Sequence, residues 1–134
     1  MKIDLSEKEF RRLLDMVYIG DWILNSPRGT DRFEDYDRVM ELVFKKCYEC
    51  GMDSLAETAY GYTIPSRAFA EGGIHEAIAD YEDSAFFDIL AEELARRDMD
   101  DAGISQDDEK ELSMRIDDYF AEFERNGIDN ISIQ

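Results

Sequence analysis

The sequence is poor in proline, cysteine and histidine, with two, two and one among 134 residues. So few prolines leave long helices uninterrupted. Two cysteines three positions apart cannot build the disulfide framework of a small secreted protein. A single histidine leaves no evident base for a nucleophilic triad. These absences favour a helical protein of a reducing compartment.

Long hydrophobic runs are also missing. The best run, from Met16 to Leu24, is broken by Asp21 and is far shorter than the roughly 18 residues of a membrane helix. The first ten residues, MKIDLSEKEF, contain no apolar segment of the kind found in signal peptides. We therefore expect a cytoplasmic protein that does not enter a membrane.

Basic residues are scarce, since 33 acids face 15 bases and give a net charge of −18. This charge disfavours direct binding of nucleic acid or of anionic membranes. It is also uneven: residues 1–70 carry 13 acids and 10 bases, whereas residues 71–134 carry 20 acids and 5 bases. The C-terminal half therefore produces most of the electric field.

What the sequence does contain is apolar residues at helical spacing in four long segments. Ser6 and Glu9 form a capping-box pair at the start of the first segment. We predict an all-α fold, a single-domain bundle over residues 1–134 with one short helix near residue 55 and four long helices. The long helices are predicted from Ser6 to just before Pro27, from Asp31 to Cys50, from Ile74 to Arg97 and from Ser105 to Arg125.

Three regions are less regular. Leu55 to Tyr60 has a short helical pattern, and we expect an irregular connection from there to Gly73, since glycines and Pro65 interrupt any longer period. Apolar residues alternate in both tails, as in strands. The termini are therefore a candidate two-stranded ribbon, formed by Ile3 and Leu5 at one end and Ile128, Ile131 and Ile133 at the other.

Residues 98–109, DMDDAGISQDDE, resemble an EF-hand calcium loop. Asp98, Asp100 and Glu109 occupy the first, third and twelfth positions, where the loop supplies oxygen ligands, and a glycine is sixth. Ala102 departs from the pattern because it offers no side-chain oxygen at the fifth position. Ca²⁺ is accordingly a candidate ligand, and the alternative interpretation is an exposed acidic turn between two helices.

Two other fragments point to structure more than to chemistry. Cys47 and Cys50 form a CxxC pair at a predicted helix end, where the carbonyl groups favour neutral thiols, so we interpret them as packing residues. His75 and Glu76 begin a zinc-protease motif whose second histidine is replaced by Ala79. We expect His75 to have a structural role near a helix start.

The segment around residues 60–69 is rich in aromatic residues and marked by glycine and proline. Aromatic and arginine side chains on irregular segments are frequent contact residues. We therefore name Tyr60, Tyr62, Arg67 and Phe69 as a candidate interaction surface. The alternative is that this segment covers the open end of the bundle.

Two stretches, Met16 to Leu24 and Ile78 to Arg97, resemble small acidic proteins of bacteria and phages that have no assigned activity. The resemblance implies no functional residue.

We expect a non-catalytic acidic interaction protein that docks on a basic surface of a protein partner, because a one-sided field steers encounters. One alternative is a Ca²⁺- or metal-responsive helical module using residues 98–109, and another is an enzyme of unrecognised type. Acidity that serves only solubility would also account for the composition. The sequence predicts no other cofactor and leaves the oligomeric state open.

Overall fold

The computed structural model describes all 134 residues and divides them into two compact units, Met1–Ile78 and Ala79–Gln134. The helices are α1 (Glu7–Asn25), α2 (Glu34–Lys45), α3 (Arg67–Phe69), α4 (His75–Asp101) and α5 (Glu109–Asn126), and the strands are β1 (Ala56–Ala59) and β2 (Tyr62–Pro65). The mainly helical fold class is confirmed, although a β-hairpin makes it less than all-α. The single domain stays a prediction, and α4 runs from the first unit into the second.

Helix α1 begins where the capping box predicts. The Ser6 hydroxyl accepts a hydrogen bond from the backbone N–H of Glu9 at 3.2 Å, and the Glu9 carboxylate accepts one from the backbone N–H of Ser6 at 2.7 Å. Two N–H groups at the helix start are thereby satisfied. The helix ends at Asn25, two residues before Pro27, which has no N–H to continue the helical hydrogen bonds.

Helix α2 is shorter than predicted at both ends. Asp31 does not cap it, because its carboxylate accepts from the backbone N–H of Gly29 at 3.1 Å and from Arg28 at 3.1 Å within the preceding turn. The buried Asn25 side chain instead bonds the N–H of Phe33 at 2.8 Å and its C=O at 3.2 Å, immediately before α2. At the other end the chain tightens into a 3₁₀ turn, Lys46–Tyr48.

The region from Leu55 to Tyr60, predicted to be helical, forms instead a 3₁₀ turn, Asp53–Leu55, and strand β1. Strands β1 and β2 pair antiparallel, with Ala56 opposite Pro65 and Ala59 opposite Tyr62. Tyr60 and Gly61 form the two-residue turn, with φ of 53° and 81°. Positive φ at both central residues is the geometry of a type I′ turn, which suits the twist of a hairpin.

Aromatic packing forms the core of the first unit. Phe44 and Phe69 are fully buried, with ring centroids 5.0 Å apart and nearly perpendicular planes. Helical spacing alone predicts that Phe33 and Tyr36 face inward, but both are exposed. The buried core consists of Phe10, Leu14, Phe44, Cys47, Ala56, Phe69, Ile74 and Ile78.

The second unit pairs the later part of α4 with α5. Ala91, Ala95 and Met99 on α4 are fully buried, and Phe87 lies against Phe123 of α5 with ring centroids 5.3 Å apart. Helix α4 continues to Asp101, four residues beyond the predicted end. The Asp108 carboxylate caps α5 by accepting from the N–H of Glu111 at 3.1 Å.

The terminal ribbon is not formed, and this prediction was wrong. The sheet has two strands only, β1 and β2, and Ile3, Ile128, Ile131 and Ile133 are exposed. A two-stranded ribbon is marginal without further packing, so alternation alone is a weak strand signal in the tails. None of the helices combines the length and the apolar content that crossing a bilayer requires.

The turn geometry predicts a stabilising substitution. Tyr60→Asn should raise the free energy of unfolding by about 1 kcal/mol, because asparagine adopts positive φ at a lower cost than tyrosine. Urea unfolding at neutral pH measures the change. Tyr62→Asn is the matched control, because Tyr62 lies in β2 outside the turn, and it should give no gain. An unchanged or lower stability of Tyr60→Asn would contradict the turn assignment.

Candidate functional site

A groove of about 640 Å³ lies between α2 and the β-hairpin in the first unit. Tyr60 and Tyr62 line it and are 100% and 62% exposed. They do not cover the core, which leaves them free to contact a partner. Among the charged lining residues, Arg32 pairs with Asp37 at 2.7 Å and Glu41 pairs with Lys45 at 3.0 Å. Glu34 and Arg38, one of each sign, lie outside these ion pairs. The groove therefore has no strong preference for a ligand charge.

The other two residues of the predicted interaction surface lie elsewhere. Phe69 is fully buried, in contact with Phe44 and with Tyr18 at a centroid distance of 5.2 Å, so it serves the core and is withdrawn from the surface. Arg67 is exposed and pairs with Glu71 at 2.7 Å. The structure thus keeps the two tyrosines together and separates Phe69 from them by burial.

The calcium-loop residues lie on two helices. Asp98 and Asp100 are in the last turn of α4, whereas Glu109 is the first residue of α5. The Asp100 carboxylate accepts a hydrogen bond from the Gln106 amide at 2.6 Å. No group of three or more His, Cys, Asp or Glu side chains is arranged to hold a metal ion. Calcium binding stays a prediction, and a calcium titration followed by thermal melting tests it, since an ion bound to the native state raises Tm.

Asp98 has two partners in the second unit. Its carboxylate accepts from the Tyr119 hydroxyl and from Arg97, the latter at 2.8 Å. The hydrogen bond from Tyr119 lowers the pKa of Asp98, and burial raises the pKa of Tyr119. The hydrogen bond between Tyr119 and Asp98 links the end of α4 to α5.

Cys47 lies in the 3₁₀ turn that follows α2, and Cys50 lies just after that turn, close to the helix end at which the sequence places the pair. Both cysteines are free; Cys47 is buried and Cys50 is exposed. Burial raises the pKa of the Cys47 thiol, which keeps it neutral and poorly nucleophilic.

His75 is the first residue of α4 and packs among aromatic side chains of α1. Its Nε2 lies 2.6 Å from the Tyr18 hydroxyl, and its ring centroid is 4.8 Å from that of Trp22. These contacts give His75 the structural role that the sequence predicted for it.

The feature that stands apart from the rest is the acidic surface of the second unit. Residues 79–134 carry 18 acids and 5 bases. Three of the five bases pair with neighbouring acids on the same helix: Arg96 with Glu92, Arg97 with Asp98, and Arg115 with Glu111. Most of the acids consequently face water without a basic neighbour.

No protein-family model, curated protein or solved structure matches this chain.

Helical spacing alone misplaces one surface of α4. It puts Tyr81 and Ile89 on one apolar stripe with Ile74 and Ile78 and predicts that all four face inward. The structure buries Ile74 and Ile78 but exposes Tyr81 and Ile89. The available signal was the absence of any base between residues 80 and 93, a stretch with six acids. Such one-sided charge beside apolar residues is typical of a solvated face.

The lowered pKa of Asp98 predicts a pH dependence of stability. A carboxylate whose pKa is lower in the folded state stabilises the fold above its unfolded pKa, and this contribution disappears as the pH falls through the folded value. Asp98→Asn should therefore lower the free energy of unfolding by about 1 kcal/mol at pH 7. The difference between wild type and variant should shrink once the pH is well below the usual aspartate pKa of 3.8.

Urea unfolding at a series of pH values measures both quantities. Tyr119→Phe is the matched variant, because it removes the hydroxyl that lowers the pKa of Asp98 and should give the same trend. A difference between wild type and Asp98→Asn that stays constant over the whole pH range would contradict this role.

Proposed function

We propose that the protein is a non-catalytic interaction protein whose C-terminal unit docks on a basic surface of a protein partner. The observation that carries the proposal is the set of acidic side chains of that unit, which are mostly exposed and without a basic neighbour. The unit contains 18 acids and 5 bases. The first unit, with 15 acids and 10 bases, is closer to charge neutrality. A field of one sign raises the rate of encounter with an opposite surface and rejects partners of like charge.

The distribution of charge supports docking over solubility alone. Solubility requires net charge of either sign spread over the surface, with no concentration in one unit. The same field disfavours nucleic acid as a direct ligand, because its phosphates repel carboxylates. A reducing cytoplasm, proposed from the sequence, suits the two free cysteines, Cys47 and Cys50.

Retention of proteins from a cell lysate tests the proposal, with the immobilised protein washed at low and then high salt. Proteins bound at low salt should be released as the salt rises, because salt screens exposed charges. A triple variant of the second unit, Glu82→Gln, Asp88→Asn and Glu93→Gln, should retain much less lysate protein at low salt than the wild type does.

The matched control neutralises three exposed acids of the first unit by Glu34→Gln, Glu57→Gln and Glu76→Gln. It changes the net charge by the same amount and should retain what the wild type retains. Equal retention by the two triple variants, or none by the wild type at low salt, would contradict docking through the second unit.

A further inference from the structure

An apolar surface runs along the outward side of α4. Tyr81, Ala85 and Ile89 follow one another at intervals of four residues, and Phe86 lies beside them, so the four share one face of the helix. Tyr81, Phe86 and Ile89 are 66%, 50% and 63% exposed. We name these four residues the outer stripe.

The outer stripe is not needed for the core of the second unit. That core uses the side of α4 across from Phe86 and Ile89, where Ala91 and Ala95 are fully buried and Phe87 contacts Phe123. Three large apolar side chains are thus left in water, although their burial would be favourable at about 25 cal/mol per Å². Contiguous exposed apolar residues on a folded unit mark a contact surface.

Carboxylates border the outer stripe. Helical spacing puts Asp88 and Glu92 along one edge, Glu82 one turn before Phe86, and Glu93 one turn after Ile89. Residues 80–93 contain six acids and no base, and the one ion pair that involves this stretch joins Glu92 to Arg96. An apolar strip bordered only by carboxylates is complementary to an apolar strip bordered by cations.

Two other pairings fit the surface less well. A second copy of the chain would bring the same four carboxylates against their own counterparts, at a cost from like-charge repulsion. The exposed apolar face of α2, which includes Val39 and Leu42, is bordered by charges of both signs, Asp35 and Lys46 among them. It therefore does not select a partner by charge.

We propose that the outer stripe binds a basic amphipathic α-helix of a partner protein. The inference rests on the proposed function and adds to it the surface used and the structural class of the partner. Apolar side chains of the partner helix, spaced at three and four residues, cover Tyr81, Phe86 and Ile89, while its lysines or arginines meet the flanking carboxylates. From residue 81 to residue 89 the stripe is about 12 Å long, which corresponds to two or three helical turns of the partner.

Three designed helical peptides test the inference by fluorescence anisotropy at low salt. Peptide A has a leucine stripe flanked by lysine and arginine. Peptide B keeps the basic residues but has glutamine in place of leucine, and peptide C keeps the leucines but has glutamate in place of the bases. Peptide A should bind at least about tenfold more tightly than peptide B, a difference of about 1.4 kcal/mol, and peptide C should not bind.

Variants of the protein locate the surface. Phe86→Ser with Ile89→Ser should weaken binding of peptide A by about tenfold, the loss expected when apolar contacts at a helical interface are removed. The matched control, Val39→Ser with Leu42→Ser, makes the same kind of change on α2 and should bind peptide A like the wild type. Circular dichroism of all variants shows whether the helices are retained.

The outcomes separate the two proposals. Equal binding of peptides A and B, or an unchanged affinity in the Phe86 and Ile89 variant, would overturn the inference and leave docking by charge intact. Failure of peptide A to bind would also overturn the inference, whereas the proposed function is decided by the retention experiment. A dimer in sedimentation that Phe86→Ser with Ile89→Ser dissociates would replace the partner helix by a second copy and overturn the inference as well.

Discussion

The burial of Phe69 is the contact on which the first unit depends. Its ring meets Phe44 of α2 and Tyr18 of α1, and the Arg11 guanidinium lies 4.9 Å above it. One side chain from the short helix α3 thereby joins the two long helices that precede it. Because α4 follows within six residues, the same contact also fixes where that helix begins, with His75 packed against Tyr18.

The parts of the fold that sequence could predict are those specified by neighbouring residues. The capping box of Ser6 and Glu9 and the helix end before Pro27 involve residues a few positions apart, and the structure confirms both. Phe69 was assigned to an interaction surface because its segment is rich in aromatic residues, but its burial depends on helices that are distant in the sequence. The hairpin turn at Tyr60 was likewise missed, because a single glycine after tyrosine is a weaker signal than asparagine and glycine together.

The sequence predicts the charge of the acidic surface of the second unit, but it does not predict which side of α4 is exposed there. Counting acids and bases locates the field in the C-terminal part, whereas the side of α4 that meets α5 depends on contacts between helices, such as Phe87 with Phe123. Ala91 and Ala95 fill that side, and the bulky Tyr81 and Ile89 remain outside. Helical periodicity alone places both groups on apolar stripes and does not tell which stripe is buried. The second unit consequently combines a small core with a large unpaired surface, and the proposals on function follow from that combination.

The two thiols differ in accessibility, and this has a practical use. Cys47 is enclosed in the core with a neutral sulfur, while Cys50 is open to solvent only three residues later. Maleimide reagents react with accessible thiols, so a fluorophore would attach at one defined position in the native chain. That position belongs to the first unit, and the unaltered protein therefore provides its own attachment point for an optical reporter.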